Sequence, residues 1–142
     1  MTNSIAIGVA YQDQAIVGGS IDNSPIGVTT PSTGMFSSIG VSVSTVAAAG
    51  STNADATALG YGFVLVTAAD ATKGVILPNA AVGTMIYVKN SSASALKVYP
   101  DASAAINALT ATTGAYSMAA QTTSIFIAYS ATQWYSLPLV AS

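Results

Sequence analysis

Asp70 and Lys73 stand three residues apart around Thr72 and Gly74, a carboxylate and an amine close enough in sequence to meet. A Ser and Lys dyad or a pair of carboxylates can do nucleophilic or acid–base chemistry without histidine. The atoms for such a site are present, but the spacing predicts a local ion pair in a solvated turn, which contributes only about 0–1 kcal/mol. Gly18-Gly19 and Gly60-Tyr61-Gly62 raise the question of a phosphate-cradling loop, yet neither is followed by the Gly-Lys-Ser or Gly-Lys-Thr that the chemistry needs, and turn geometry explains them better. Asp13, Asp22 and Asp101 carry oxygen ligands suited to Ca²⁺, but they are dispersed, and six to eight oxygens must converge on one ion. The rings of Tyr61, Tyr87, Tyr99, Tyr116, Phe126, Tyr129, Trp134 and Tyr135 could form a sugar-stacking platform, although large aromatics more often serve as core or interface anchors. No catalytic, cofactor-binding or metal-ligating residue is assigned on these grounds, no cofactor is implied, and the chain is not expected to be an enzyme.

Composition narrows the classes further. The 142 residues include three Lys, five Asp and no Arg, Glu, His or Cys, which removes thiolate nucleophiles, imidazole bases, disulfides and zinc sites built on His or Cys. Charged residues make up 6 % of the chain, against about 25 % in an average domain. With a formal charge of −2 and no Lys or Arg in residues 1 to 72, the chain lacks the clustered cations that neutralise phosphates, and nucleic acid is not expected as a partner. The apolar runs, such as Phe63 to Val66, are far shorter than the roughly 20 residues of a spanning helix, so no membrane partner is expected either. The N-terminal Met1-Thr2-Asn3-Ser4-Ile5 lacks the basic start of a secretory signal, which predicts an intracellularly made chain. Small near-neutral residues dominate instead, with 27 Ala, 18 Ser and 16 Thr. A surface this short of charge resembles the permanently buried interfaces of obligate assemblies.

These residues must be positioned by three regions. Residues 1–45 predict an extended N-terminal arm. Ile5, Ile7, Val9 and Tyr11 alternate with Ala6, Gly8 and Ala10 in the period of a strand with one buried face. Glycines and prolines from Gly18 to Gly34 then interrupt regular structure. The apolar side chains spread among them are too numerous for a solvated linker, and Ile21, Pro25, Ile26, Val28, Met35, Phe36 and Ile39 are the candidate partner-binding residues. Residues 46–60 read as a flexible joint, with Asn53 or Asp55 able to cap a short helical turn. Residues 61–142 predict a small all-β domain, an antiparallel β-sandwich or barrel, with strands at Tyr61–Ala68, Gly74–Leu77, Thr84–Lys89, Ala95–Tyr99, Ala115–Met118, Thr122–Ser130 and Gln133–Leu137. Hairpins are expected at Lys89 to Ser94, with Asn90 in an Asx or left-handed turn, and at Ser130 to Thr132. Pro78 and Pro100 should lie at strand ends, Pro138 should close the last strand, and Ile106 with Leu109 leaves a helical turn open. No fixed-period repeat is visible.

The segment Gly18-Gly-Ser-Ile-Asp-Asn-Ser-Pro-Ile-Gly27, with Thr30-Pro-Ser-Thr-Gly-Met-Phe36 after it, resembles a short motif near the N-terminus of tailed-bacteriophage virion proteins. From Ala54 to Leu137 the chain also looks like a small β-domain of phage structural proteins, through Val75-Ile-Leu-Pro78, Gly83, Ile86-Tyr-Val-Lys-Asn90, Val98-Tyr-Pro100, Ile106-Asn107 and Gln133-Trp134. The resemblance implies a capsid decoration, or cement, protein on the capsid exterior of the virion: a homotrimer bound to the major capsid protein, with its arm reaching over neighbouring coat subunits and stabilising the head. The same glycine-rich segment is similar to ones in fibre proteins, which makes a tail-fibre or tail-tip component the alternative, although the chain lacks a repetitive shaft. A carbohydrate-binding module using Trp134 or the tyrosines is a third expectation.

Overall fold

A computed structural model describes residues 38–139. Ten strands follow in order: β1 Val43–Ala47, β2 Thr57–Ala58, β3 Gly62–Thr67, β4 Gly74–Ile76, β5 Met85–Asn90, β6 Leu96–Tyr99, β7 Ala105–Ile106, β8 Tyr116–Met118, β9 Thr123–Ser130 and β10 Gln133–Leu139. They form a six-stranded sheet in the order β1-β3-β5-β9-β10-β7 and a four-stranded sheet in the order β2-β4-β6-β8. From β1 to β9 each strand lies in the opposite sheet from the one before it, so the chain coils between two layers. Coiling in this way brings successive strands of one sheet side by side in the same direction, and β1–β3, β3–β5, β2–β4 and β4–β6 are all parallel.

The all-β expectation therefore holds, but the sheets are mixed rather than antiparallel. Among the described strands β5–β9, β9–β10 and β6–β8 pair antiparallel, a single antiparallel bridge joins Ala49 to Gly74, and β7 adds parallel to β10. The turn at Lys89 to Ser94 shows why. The Asn90 side chain accepts the Ser92 N–H at 3.0 Å, the Asx turn its sequence predicts, yet β5 and β6 belong to different sheets. A corner between layers and a hairpin within one use the same turn chemistry. Asn90 itself is fully buried, and its Nδ2 donates to the carbonyls of Ser94 at 2.9 Å and Ala119 at 3.0 Å, which offsets the cost of burying the amide. Among the described residues the one hairpin between consecutive strands is at Ser130 to Thr132, as expected. Pro78 and Pro100 follow β4 and β6 as predicted; Pro138 lies within β10, opposite Ser124. Ile106 belongs to β7 rather than to a helical turn, because Asn107 at φ 53° breaks the backbone there and holds Ser136 through both ends of its amide.

One hydrophobic cluster takes side chains from both sheets: Val64, Val66, Ile86, Val88, Phe126 and Trp134 from the larger, and Val75, Leu96, Val98 and Met118 from the smaller. Tyr116 of β8 meets Phe126 of β9 edge to face at 5.5 Å between centroids. Asp101 is buried with its carboxylate accepting the Trp134 indole N–H and the Ala80 N–H, each at 3.1 Å, so the carboxylate sits where two donors converge. Residues 46–60, expected as a joint, contribute the end of β1, all of β2, and the core residues Ala48 and Leu59. A single helical turn does form there: the Ala56 N–H donates to the Thr52 carbonyl at 3.1 Å, and Asp55 holds the start of the turn by accepting the Ser51 and Thr52 N–H groups.

Candidate interaction face

The catalytic and metal candidates disperse. Lys73 meets Asp70 at 3.2 Å with both side chains about half exposed, the solvated pair the spacing predicts. The Thr72 hydroxyl and then the Lys73 and Thr72 N–H groups hold the Asp70 carboxyl well below the usual carboxylate range. Asp101 is engaged by Trp134 and Ala80, and Asp13 and Asp22 lie outside the described residues; among the described residues no three metal-ligating side chains converge. Gly62 takes φ +94°, and a Cβ there would lie 2.3 Å from the Ser42 carbonyl oxygen, so Gly62 serves the junction of β1 and β3, while Gly60 stands in open space. A groove of about 430 Å³ opens between β8 and the ends of β9 and β10, lined by Tyr116, Met118, Thr122, Ser124, Pro138 and Leu139 among others, with no Asp or Lys in its wall.

What the fold does assemble is a surface. In β3, β5 and β9 the even-numbered residues enter the core, so the odd-numbered ones line the outer face of the six-stranded sheet. Strand register sets Val43, Phe63, Tyr87, Ile125 and Leu137 in one straight row across five strands. A second row runs through Met85, Ile127 and Tyr135, and a third through Thr45, Leu65, Lys89, Thr123 and Leu139. Exposure is greatest at the ends of these rows, where Val43 is 75 % exposed and Met85, Tyr135, Leu137 and Leu139 are each close to half exposed, while Phe63, Leu65, Tyr87, Ile125 and Ile127 between them are partly exposed. Lys89 is the lone charge in them, and its ammonium is tied to the Gln121 carbonyl. Contiguous apolar surface of this kind marks a contact site far more often than scattered apolar residues do.

The aromatic set divides accordingly. Trp134, Phe126 and Tyr99 are buried, whereas Tyr61, Tyr129 and Tyr135 are exposed. Tyr129 and Tyr135 pack edge to face, 5.7 Å between centroids at 66°, against each other rather than as one flat sugar platform. Of the predicted partner-binding residues, Ile39 is 76 % exposed just ahead of β1, while Ile21, Pro25, Ile26, Val28, Met35 and Phe36 lie outside the described residues, as does the strand expected at Ile5 to Tyr11. Phe63, Leu65, Tyr87, Ile125, Ile127 and Leu137 escaped the sequence reading as surface residues. Their signal was the run without polar alternation in Phe63-Val-Leu-Val66 and Ile125-Phe-Ile-Ala-Tyr129, the signature of strands apolar on both faces.

No protein-family model matches this chain, and no curated protein matches it.

Proposed function

We propose that this chain is a structural subunit that attaches through apolar contact and that, following its resemblance to virion proteins, it is a capsid decoration protein of a tailed phage. In this reading it binds the major capsid protein on the outer surface of the head as a homotrimer. It combines a small two-layer β-domain with an extended N-terminal arm. The observation that carries the reading is the bare row Val43–Phe63–Tyr87–Ile125–Leu137, an apolar surface on a chain with only eight charged residues.

The mechanism is linkage. A subunit that binds the assembled shell and not its dissociated coat shifts the equilibrium toward the shell, and many copies multiply the effect. Each large apolar side chain taken from water contributes roughly 1.5–3 kcal/mol before the costs of association are subtracted. Five such groups in one row make apolar contact, rather than charge pairing, the main source of attachment in this reading.

The test is co-purification with DNA-filled heads after removal of tails. Recovery with heads supports the decoration reading; recovery with tails alone replaces it by the fibre reading. Sedimentation equilibrium at micromolar concentration that shows only a 14.1 kDa species would remove the trimer.

A further inference from the structure

The edges of the two sheets are unequal. β7 and β2 offer two residues each and β8 three, but β1 presents five with no Pro, Lys or bulge to discourage another strand. In a parallel ladder a residue directs its N–H and C=O to the same neighbour, and successive residues alternate sides. The Phe63 N–H donates to the Ser42 carbonyl and the Ala48 N–H to the Thr67 carbonyl, each at 2.8 Å, so the even-numbered residues of this stretch bond to β3. Val43 and Thr45 therefore direct their backbone groups outward, and no described strand pairs with them. The Ala47 carbonyl accepts from the Thr57 hydroxyl at 2.8 Å, which ends the open stretch.

The chain carries a segment suited to that edge. Its alternation would set Ile5, Ile7, Val9 and Tyr11 on one face of an added strand and Ala6, Gly8 and Ala10 on the other. Placed beside β1, the large set continues the apolar row that begins at Val43, and the small set lies toward the inner layer, where the four-stranded sheet ends in the two-residue β2. Residues 12 to 37 separate Tyr11 from the start of the described fold, a span of up to about 85 Å when extended, against a radius of gyration of about 13 Å for a domain of this size. Both the edge of its own subunit and that of a neighbour lie within this reach. The charge-poor composition, which resembles that of obligate interfaces, favours the neighbour.

We propose that residues Ile5 to Tyr11 of one copy add as a strand along β1 of a second copy. The inference rests on the homo-oligomeric reading above and names the contact that builds it. Repeated head to tail with rotational closure, such an exchange uses every β1 edge once and leaves none open.

The native chain has no cysteine, so disulfides can be introduced on a blank background. Full-length variants combine Thr45→Cys in turn with Ile5→Cys, Ile7→Cys or Val9→Cys, and are oxidised after refolding alone or with a tenfold excess of cysteine-free chain. The expected result is disulfide-linked dimers and trimers for at least one pair, reduced about tenfold by the excess chain and not formed by Thr45→Cys alone. A cross-linked monomer insensitive to dilution would show that the segment returns to its own edge, and no bond in any pair would show that it goes elsewhere; either overturns the proposal. Sedimentation equilibrium of the unaltered chain separates the two failures. A mass of three times 14.1 kDa without the cross-link sinks only the strand exchange, whereas a monomer sinks the oligomer with it.

Discussion

The outer faces of the two sheets differ in how far the chain itself covers them. On the four-stranded sheet the outward positions are Ala58, Gly74, Ile76, Lys97, Tyr99 and Ser117, and the chain itself covers the part of this face at Gly74 and Tyr99, while Ala58 and Ser117 stay exposed. Tyr99 points outward yet is only 4 % exposed, because the turn over residues 50–56 closes on it: its hydroxyl donates to the Ser51 carbonyl and Asn53 reaches the Pro100 carbonyl. Gly74 permits this by having no side chain beneath the ring. On the six-stranded sheet the outward row is longer and more apolar, and its exposure is greatest at its ends. A face that a fold needs for its own stability acquires a cover from the same chain.

The largest effects should separate the two sides of the larger sheet at neighbouring residues. Phe126→Ala removes a fully buried ring between the layers and should cost about 3–5 kcal/mol of stability in chemical denaturation. Ile125→Ala, one residue away on the outer row, leaves no internal cavity and should cost about 1 kcal/mol or less. Equal losses would mean that the outer row is already packed within the folded chain.

Attachment should show the reverse order. Ile125→Asp sets a carboxylate in the middle of the row, and burying it unpaired should weaken assembly by at least a hundredfold, about 2.7 kcal/mol, while the subunit stays folded. Ile39→Asp and Phe36→Asp should act in the same direction on binding to heads. Raising NaCl from about 0.1 to 1 M shortens the Debye length from about 10 to 3 Å, and should change the affinity less than about threefold. Steep salt dependence together with tolerance of Ile125→Asp would assign attachment to the three lysines instead.

Much of this architecture was legible because strand signals are local. The seven strands expected from Tyr61 onward all form, within one or two residues at nearly every end. β2 and β7 were not legible: two residues each give no period to read, and both exist because longer neighbours offer an edge. β1 was hidden among Ser and Thr, whose strand character here comes from pairing to β3. The coil between layers was invisible for a different reason. Its turns differ in length, Val43 to Phe63 and then Phe63 to Tyr87, so no repeat accompanies it. The bare face needed the register, since only pairing reveals that residues from five separated segments make one row.

Gly74→Ala tests the covered face. An added Cβ would fall 2.6 Å from the Tyr99 ring, so the ring must move and its hold on Ser51 must loosen. A loss of about 1–3 kcal/mol is expected, as for other overpacked sites, with faster proteolysis within residues 50–56. Assembly should be unaffected. If the oligomer dissociates instead, the two outer faces are not independent.

The smallest effect is the pH dependence, and it too should belong mainly to the covered face. The Thr52 hydroxyl and N–H hold the Asp55 carboxyl below its ordinary 3.8, and the donors around Thr72 do the same for Asp70. As pH falls, the unfolded chain takes up these protons first. The contribution is therefore complete above about pH 4 and is lost as pH drops through the lowered folded values. Tyr99 runs the other way: burial, and then the Asp55 charge, raise its phenol above 10.0, so the folded state keeps a proton that the unfolded state releases. That contribution is present below about pH 10 and disappears as pH rises through the raised value. Denaturation midpoints should form a plateau from about pH 5 to 9, with Asp55→Asn lowering the plateau and making the acid limb shallower, and Tyr99→Phe flattening the alkaline one. Over the same plateau the oligomer mass should stay constant, because every carboxylate in the described fold lies off the bare row. A change in mass between pH 5 and 9 would place one of them at the interface and end the separation of the two faces.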